Sequence, residues 1–241
     1  IRNPDQATAG GACSFRALGP SPRPVLRYHP ATNGKEEASY MITALEALDR
    51  LTAGNRRFVS DIAGDDSDAR KHRSDLVMGQ EPFAIVLGCS DSRVPAELVF
   101  DQGLGDIFSI RIAGNFVNED ILGSMEFACK LAGSKLVVVL GHTSCGAIKG
   151  ACDDARLGNL TALISKIKPA VKAVTTPKDP EDRTSLNLGF VDQVSEENVR
   201  MTIENIRKKS PVLRLMEEDG EIGIVGAMYD VATGEVTFFD K

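Results

Sequence analysis

The sequence has no hydrophobic run that approaches the roughly 18 residues needed to span a bilayer, which excludes a predicted transmembrane segment. It also has no basic block, and 34 acidic residues outnumber 28 basic ones, giving a net charge of −6. The charge pattern of a nucleic-acid-binding protein is therefore missing. The five cysteines are odd in number and unevenly spaced, which argues against a disulfide framework. A reducing compartment, with some thiols used for metal binding or catalysis, fits this pattern better.

The composition is otherwise that of a globular protein, with 42% hydrophobic and 26% charged residues in a chain of 241. Residues 1–40 differ from the rest because they are rich in proline and arginine and poor in acidic residues. We predict a disordered extension or leader over 1–40, followed by a single α/β zinc-enzyme domain over 41–241. The predicted location is the cytoplasm, or an organelle or the periplasm if the extension is a processed targeting segment.

Hydrophobic periodicity predicts alternating helices and strands after residue 40. Short apolar runs, typical of strands buried on both faces, occur at 83–87, 107–112, 135–140 and 222–228. Helical spacing occurs at about 41–60, 119–132, 144–152, 157–174 and 188–209, and a hairpin strand is predicted at 236–239. The alternation indicates an α/β fold: a mostly parallel central sheet flanked by helices, with an antiparallel edge strand near the C-terminus. Functional sites in such sheets gather outside the carboxyl ends of the strands.

Metal-binding residue types follow two of these predicted strands. Cys89 ends the first strand, His142 ends the third, and Cys145 follows three residues later. Two sulfurs and one imidazole suit zinc, and three protein ligands leave a fourth position open, as in catalytic sites. Each residue alone is weak support, because a cysteine at a strand end is usually a small buried hydrophobe. The prediction rests on their joint placement at two strand ends.

Asp91 and Arg93 lie next to the first of these cysteines. In extended backbone, residues two apart point the same way, so the guanidinium is expected to hold the carboxylate. A carboxylate held on one oxygen can accept a hydrogen bond from water or hydroxide with the other. The alternative is a surface ion pair of little consequence.

Three segments together resemble the signature of β-class carbonic anhydrases. They are Cys89-Ser90-Asp91-Ser92-Arg93-Val94-Pro95, Arg111-Ile112-Ala113-Gly114-Asn115 and Gly141-His142-Thr143-Ser144-Cys145-Gly146. The resemblance extends over roughly residues 45–240. It implies reversible hydration of carbon dioxide to bicarbonate and a proton, by a lyase that carries Zn²⁺.

Carried over by position, the resemblance implies that Cys89, His142 and Cys145 bind zinc and that Asp91 and Arg93 form the catalytic dyad that orients hydroxide. It also implies four residues that contact substrate: Gln80, Phe108, Phe127 and Gly146. Phe127 stands where many family members have a tyrosine. The implied assembly is a homodimer or a higher homo-oligomer, in which Gln80 reaches the pocket of the partner subunit.

Two other functions stay open at this point. One is hydrolysis of carbonyl sulfide or carbon disulfide on the same scaffold, because the metal ligands would be identical. The other is a non-catalytic zinc- or bicarbonate-binding module, although such a module would not need the dyad of Asp91 and Arg93. The sequence also has no tryptophan, and Val86 stands where one branch of the family has the tryptophan of a regulatory bicarbonate pocket. Because valine has no indole N–H, we predict that this pocket is absent.

Overall fold

The structure is a computed structural model that describes residues 42–62 and 72–239, except for the side chains of residues 72 and 75. The predicted extension over 1–40 lies outside the described residues. Five strands form one sheet: β1 (Ala84–Gly88), β2 (Ile107–Arg111), β3 (Leu136–His142), β4 (Gly223–Tyr229) and β5 (Val236–Phe238). Their order is β2-β1-β3-β4-β5; the first four are parallel, and β5 pairs antiparallel with β4. The predicted fold is therefore confirmed, including the antiparallel edge strand.

Helices fill the connections between the strands. The α-helices are α1 (Ala44–Val59), α2 (Ala96–Val99), α3 (Glu119–Glu126), α4 (Gly146–Cys152), α5 (Gly158–Ala173), α6 (Leu188–Lys209) and α7 (Pro211–Glu218). Shorter helical segments are the 3₁₀ helices His72–Met78 and Pro180–Asp182 and a π-helical turn, Phe127–Leu131, that continues α3. None of the helices in residues 42–62 and 72–239 combines the length and apolar character that a membrane crossing requires.

The sheet is a middle layer between two layers of helices. β1 and β3 are buried along their whole length, because both of their faces are covered. On one face, α3, α6 and α7 pack over side chains such as Ile85 and Val137. On the other face, α1 and α2 pack over side chains such as Val86 and Val138. Covering on both sides explains why these strands read as continuous apolar runs rather than as alternating patterns.

The register of the two central strands places their carboxyl ends side by side. Leu87 of β1 pairs with Val139 of β3, so the chain leaves both strands at the same edge of the sheet. Just beyond that edge, a third apolar cluster includes Cys89 and Cys145 and is built from α4, α5 and the first turns of α6. The fold thus buries the residues that follow β1 and β3 under three helices.

Candidate metal centre

Cys89, His142 and Cys145 meet at this edge of the sheet. Their possible ligand atoms all lie within 4.8 Å of one another. The three residues are 3%, 0% and 1% exposed, in that order. Such burial of two thiols and an imidazole around one point is the arrangement expected of a metal site rather than of separate core residues.

The distance between the two sulfurs fits a tetrahedral ion. Cys89 Sγ and Cys145 Sγ are 3.8 Å apart. Two sulfurs bound at about 2.3 Å in tetrahedral geometry would be about 3.8 Å apart. The pair is therefore spaced for zinc, and far too widely for a disulfide.

The ring of His142 is oriented so that one nitrogen is left for a ligand. Its Nδ1 lies 2.9 Å from the carbonyl oxygen of Thr143. A carbonyl oxygen only accepts, so Nδ1 carries the proton and Nε2 has a free lone pair. Within the part of the chain that the structure describes, Nε2 is buried and has no hydrogen-bond partner. A buried polar atom without a partner is costly, and a metal ion would satisfy it.

The two thiols differ in their acidity before any metal is present. A hydrogen bond between the two thiols holds the pKa of Cys89 well below its usual range, although burial opposes this effect. The backbone N–H of Gly114 also donates to Cys89 Sγ, at 3.4 Å, and favours the thiolate. The same hydrogen bond to Cys89, together with burial, raises the pKa of Cys145. A metal that binds both sulfurs must therefore displace the proton that the two thiols share.

Asp91 and Arg93 are paired beside these three residues, but not through extended backbone as predicted. Residues 91–94 form a turn in which Val94 N–H donates to Asp91 O, at 3.1 Å, and Arg93 N–H donates to Asp91 Oδ1, at 3.0 Å. The short aspartate side chain bonds its own backbone two residues on, and this turn folds Arg93 back onto it. The expectation of an extended segment was wrong, while the expected contact is present.

The guanidinium of Arg93 contacts both oxygens of Asp91. Nε donates to Oδ1 at 2.9 Å, and Nη2 donates to Oδ2 at 2.8 Å. The hydrogen bonds from Arg93 hold the pKa of Asp91 well below its ordinary value, so the carboxylate stays ionised. Oδ2 also lies 4.0 Å from His142 Nε2 and keeps a second lone pair directed away from Arg93. An ionised acceptor therefore stands at the rim of the candidate metal site.

Comparison with known proteins identifies the family to which this site belongs. A sequence model described as carbonic anhydrase matches residues 84–236, which include all five of these residues. Two structural neighbours are described as β-carbonic anhydrases. CcaA has a TM-score of 0.64 and 25% identity, covering 80% of this chain and 95% of that one. CafA of Aspergillus fumigatus has a TM-score of 0.61 and 25% identity, covering 80% of this chain and 90% of that one. The chain belongs to the β-carbonic anhydrase family. The resemblance found in the sequence, and with it the prediction of an enzyme of this type, is confirmed.

Curated relatives cover most of the chain as well. Carbonic anhydrase 2 of Mycobacterium tuberculosis is 35% identical over 195 residues, which span 79% of this chain and 90% of that protein. A carbonic anhydrase of Pseudomonas aeruginosa is 31% identical over 171 residues, spanning 68% of this chain and 76% of that protein. The similarity therefore extends over most of the length of each of these carbonic anhydrases.

Within this member of the β-carbonic anhydrase family, the four predicted substrate residues fall at three separate places, and only Phe108 and Phe127 contact each other. Gly146 directly follows Cys145 and begins α4, with open space around its Cα. Phe108 and Phe127 meet edge to face, with ring centroids 6.2 Å apart, beside a surface depression next to β2. Gln80 is exposed and borders a different depression with Leu104. Among the described residues, neither depression is lined by a candidate metal ligand, so one chain alone does not bring this set together.

The structure also assigns a role to Arg111 that sequence reasoning did not. From the end of β2, its guanidinium donates to Cys89 O at 2.9 Å and to Asp91 O. These bonds fix the turn that carries one candidate ligand and the acceptor carboxylate. Arg111 is the first residue of the Arg111–Asn115 segment of the family signature. That position was the one indication in the sequence that Arg111 has a role at the site.

Proposed function

We propose that the protein is a zinc-dependent carbonic anhydrase that interconverts carbon dioxide and bicarbonate. The observation that carries this proposal is the buried cluster of Cys89, His142 and Cys145 beside the ionised carboxylate of Asp91. Three ligands without a fourth protein ligand are typical of catalytic zinc, whereas structural sites are closed by four. An oriented acceptor at the open side is what hydration chemistry requires.

The donor set supports zinc as the metal. Two soft thiolates and one imidazole in tetrahedral spacing match its preferences, and hard oxygen-seeking cations would not be held by sulfur. Zinc, when bound, acts as a Lewis acid and makes hydroxide available from water near neutral pH. Cys89, His142 and Cys145 would hold it, with Thr143 O keeping His142 in the tautomer that exposes Nε2.

The proposed role of Asp91 is to accept the hydrogen of the attacking hydroxide. A hydroxide that donates to a fixed carboxylate has its lone pair turned toward the substrate, which is an orientation effect. Arg93 keeps Asp91 ionised and turned toward Arg93 rather than into the ligand cluster. Because the carboxylate is a very weak base, it orients the hydroxide without removing its proton.

The substrate pocket is proposed to be completed by a second copy of the chain. Gln80, Phe108, Phe127 and Gly146 keep their predicted roles in substrate contact, with Gln80 supplied across a homodimer interface. This assembly would explain why Gln80 and the pair Phe108 and Phe127 border depressions that contain no candidate metal ligand in one chain. We further propose that residues 41–241 act as one domain in the cytoplasm, with 1–40 as an extension outside it.

A direct hydration assay tests the function. The purified protein is mixed with carbon dioxide in a stopped-flow instrument, before and after zinc removal by a chelator and again after zinc is restored. We expect proton release that disappears when zinc is removed and returns when zinc is restored. Parallel assays of carbonyl sulfide and carbon disulfide hydrolysis separate the alternative substrates, and zinc binding without any turnover would instead support a non-catalytic module.

A further inference from the structure

The loop between the two neighbouring candidate ligands contains a residue in an unfavourable backbone conformation. Ser144, between His142 and Cys145, has φ of 55°, in the left-handed region. For a residue other than glycine this conformation is strained, because Cβ comes too close to the following carbonyl oxygen. The conformation lets side chains only three residues apart turn toward one point, so the surrounding structure must stabilise it.

A carboxylate on α6 provides this stabilisation. Ser144 N–H donates to Asp192 Oδ1 at 2.9 Å. A backbone amide that donates to a carboxylate forms a charge-assisted bond, roughly twice as strong as a neutral one. The acceptor is 48 residues away in sequence and lies on a helix of 22 residues, so the loop is tied to a rigid element rather than to its own neighbours.

The same helix also holds the loop beside the third candidate ligand. Asn198 is 3% exposed, and its Nδ2 donates to Gly114 O at 2.8 Å. Gly114 in turn donates its N–H to Cys89 Sγ. Asp192 and Asn198 are six residues apart on α6; Asn198 is buried among mostly apolar residues such as Val194 and Val199, whereas Asp192 is partly exposed. Both polar side chains therefore bond loops of the metal site.

We propose that Asp192 is a positioning residue of the metal centre, with Asn198 as a second support. Asp192 holds Ser144 in its left-handed conformation and so places His142 and Cys145 around one point. Asn198 holds Gly114 in place against Cys89 Sγ. Neither side chain touches substrate or metal; each acts through a loop. The inference rests on the proposed zinc site and adds the helix that builds it.

The test measures zinc affinity on the full chain, by competition with a chromophoric chelator, which does not depend on turnover. Asp192→Ala removes the acceptor, and we expect affinity to fall about 10–100-fold, as is typical when a group that orients ligands is lost. Asp192→Asn keeps a side-chain oxygen and should lose less. The absorption spectrum of the cobalt-substituted Asp192→Ala protein should also change, because the ligand geometry changes.

Ser195→Ala is the matched control. Ser195 lies midway between the two residues on α6, is 2% exposed, and among described residues its hydroxyl has no hydrogen-bond partner. Its loss should leave zinc affinity and the cobalt spectrum unchanged.

A second-site change separates positioning of the loop from general support of the helix. Glycine adopts the left-handed conformation without strain, so Ser144→Gly added to Asp192→Ala should recover most of the lost affinity. Unchanged affinity in Asp192→Ala, or no recovery by Ser144→Gly, would overturn the proposal. If Asp192→Ala does not fold, the same comparison is made with Asp192→Asn. A wild-type chain that binds no zinc would refute the proposed function itself.

Discussion

Replacing Arg93 with alanine removes the guanidinium from Asp91 while leaving the candidate metal ligands in place. The change deletes two side-chain hydrogen bonds, at 2.9 and 2.8 Å. The bond from the Arg93 backbone N–H to Asp91 Oδ1 remains, because alanine keeps that group. The turn is therefore expected to persist, with a carboxylate that is free to rotate.

The structure gives the size of each effect. The Arg93 side chain is 51% exposed, so its ion pair is screened and should contribute about 0–1 kcal/mol to stability. The loss in activity should be larger, about 10–100-fold in kcat, since an orienting group is lost. That corresponds to about 1.4–2.7 kcal/mol of transition-state stabilisation. Zinc content should not fall, because Asp91 becomes a further possible ligand.

Stopped-flow hydration, metal analysis and thermal unfolding on the same preparations measure these three quantities. The chain offers a close control in Arg156, which pairs at 2.8 Å with Asp154, also two residues earlier, on the exposed surface. Arg156→Ala removes an ion pair of the same sequence spacing away from the site, where Lys168 also pairs with Asp154, and should leave kcat unchanged. If Arg93→Ala keeps near-normal kcat with full zinc, the dyad is only structural and the proposed role of Asp91 is wrong.

Three further results are expected. Gly114→Ala should lower the free energy of unfolding by about 1–3 kcal/mol, because the φ of Gly114 is 79° and the new Cβ would lie 2.4 Å from Ile167 Cδ1. Denaturant unfolding measures this change. Gly123→Ala is the control in the same experiment, because a Cβ at that position of α3 would meet open space. Asn55→Ala should lower the free energy of unfolding in urea by about 2–4 kcal/mol, because three backbone groups that bond the buried Asn55 amide lose their partner. A decrease below about 1 kcal/mol would contradict this account. The hydration rate, plotted against bicarbonate concentration, should not be sigmoidal, because Val86 is packed in the core and its side chain offers no N–H to an anion. A sigmoidal plot would indicate a second bicarbonate-binding site and contradict this prediction.

The fold was predictable where burial alone determined the pattern. β1 and β3 are covered on both faces, so their apolar runs gave both their positions and their parallel pairing. Two of the α-helices, α2 and α7, were not predicted. α2 has only four residues, too few for helical periodicity to be recognised. α7 follows directly after α6, with Ser210 as its N-cap and Pro211 as its first residue. This is a helix-start signal, but residues 211–218 were not predicted to be helical.

The three candidate ligands were predictable because right-handed crossovers can bring two strand ends of a parallel sheet side by side. The details around them depended on contacts distant in sequence. Asp192 bonds a loop 48 residues away, and Asn198 bonds one 84 residues away, so no local spacing indicated either contact. The only signal was that both are polar residues within the predicted helix at 188–209, and that Asn198 lies among its buried apolar residues.

Gln80 and Phe108 border depressions that are separate from the candidate metal centre. Each side chain is placed clearly, yet among the described residues neither depression includes a candidate ligand. Their predicted roles came from the resemblance alone. The proposed two-copy pocket would depend on surface complementarity, which has no periodic pattern in one sequence.

Zinc content measured in three proteins prepared side by side tests the central claim most directly. Cys145 and Cys129 are both buried, at 1% and 3% exposure, but only Cys145 belongs to the candidate metal centre. We predict one zinc per chain in the wild type and in Cys129→Ala, and a large loss in Cys145→Ala. Full zinc in Cys145→Ala, with the protein folded, would contradict the assignment.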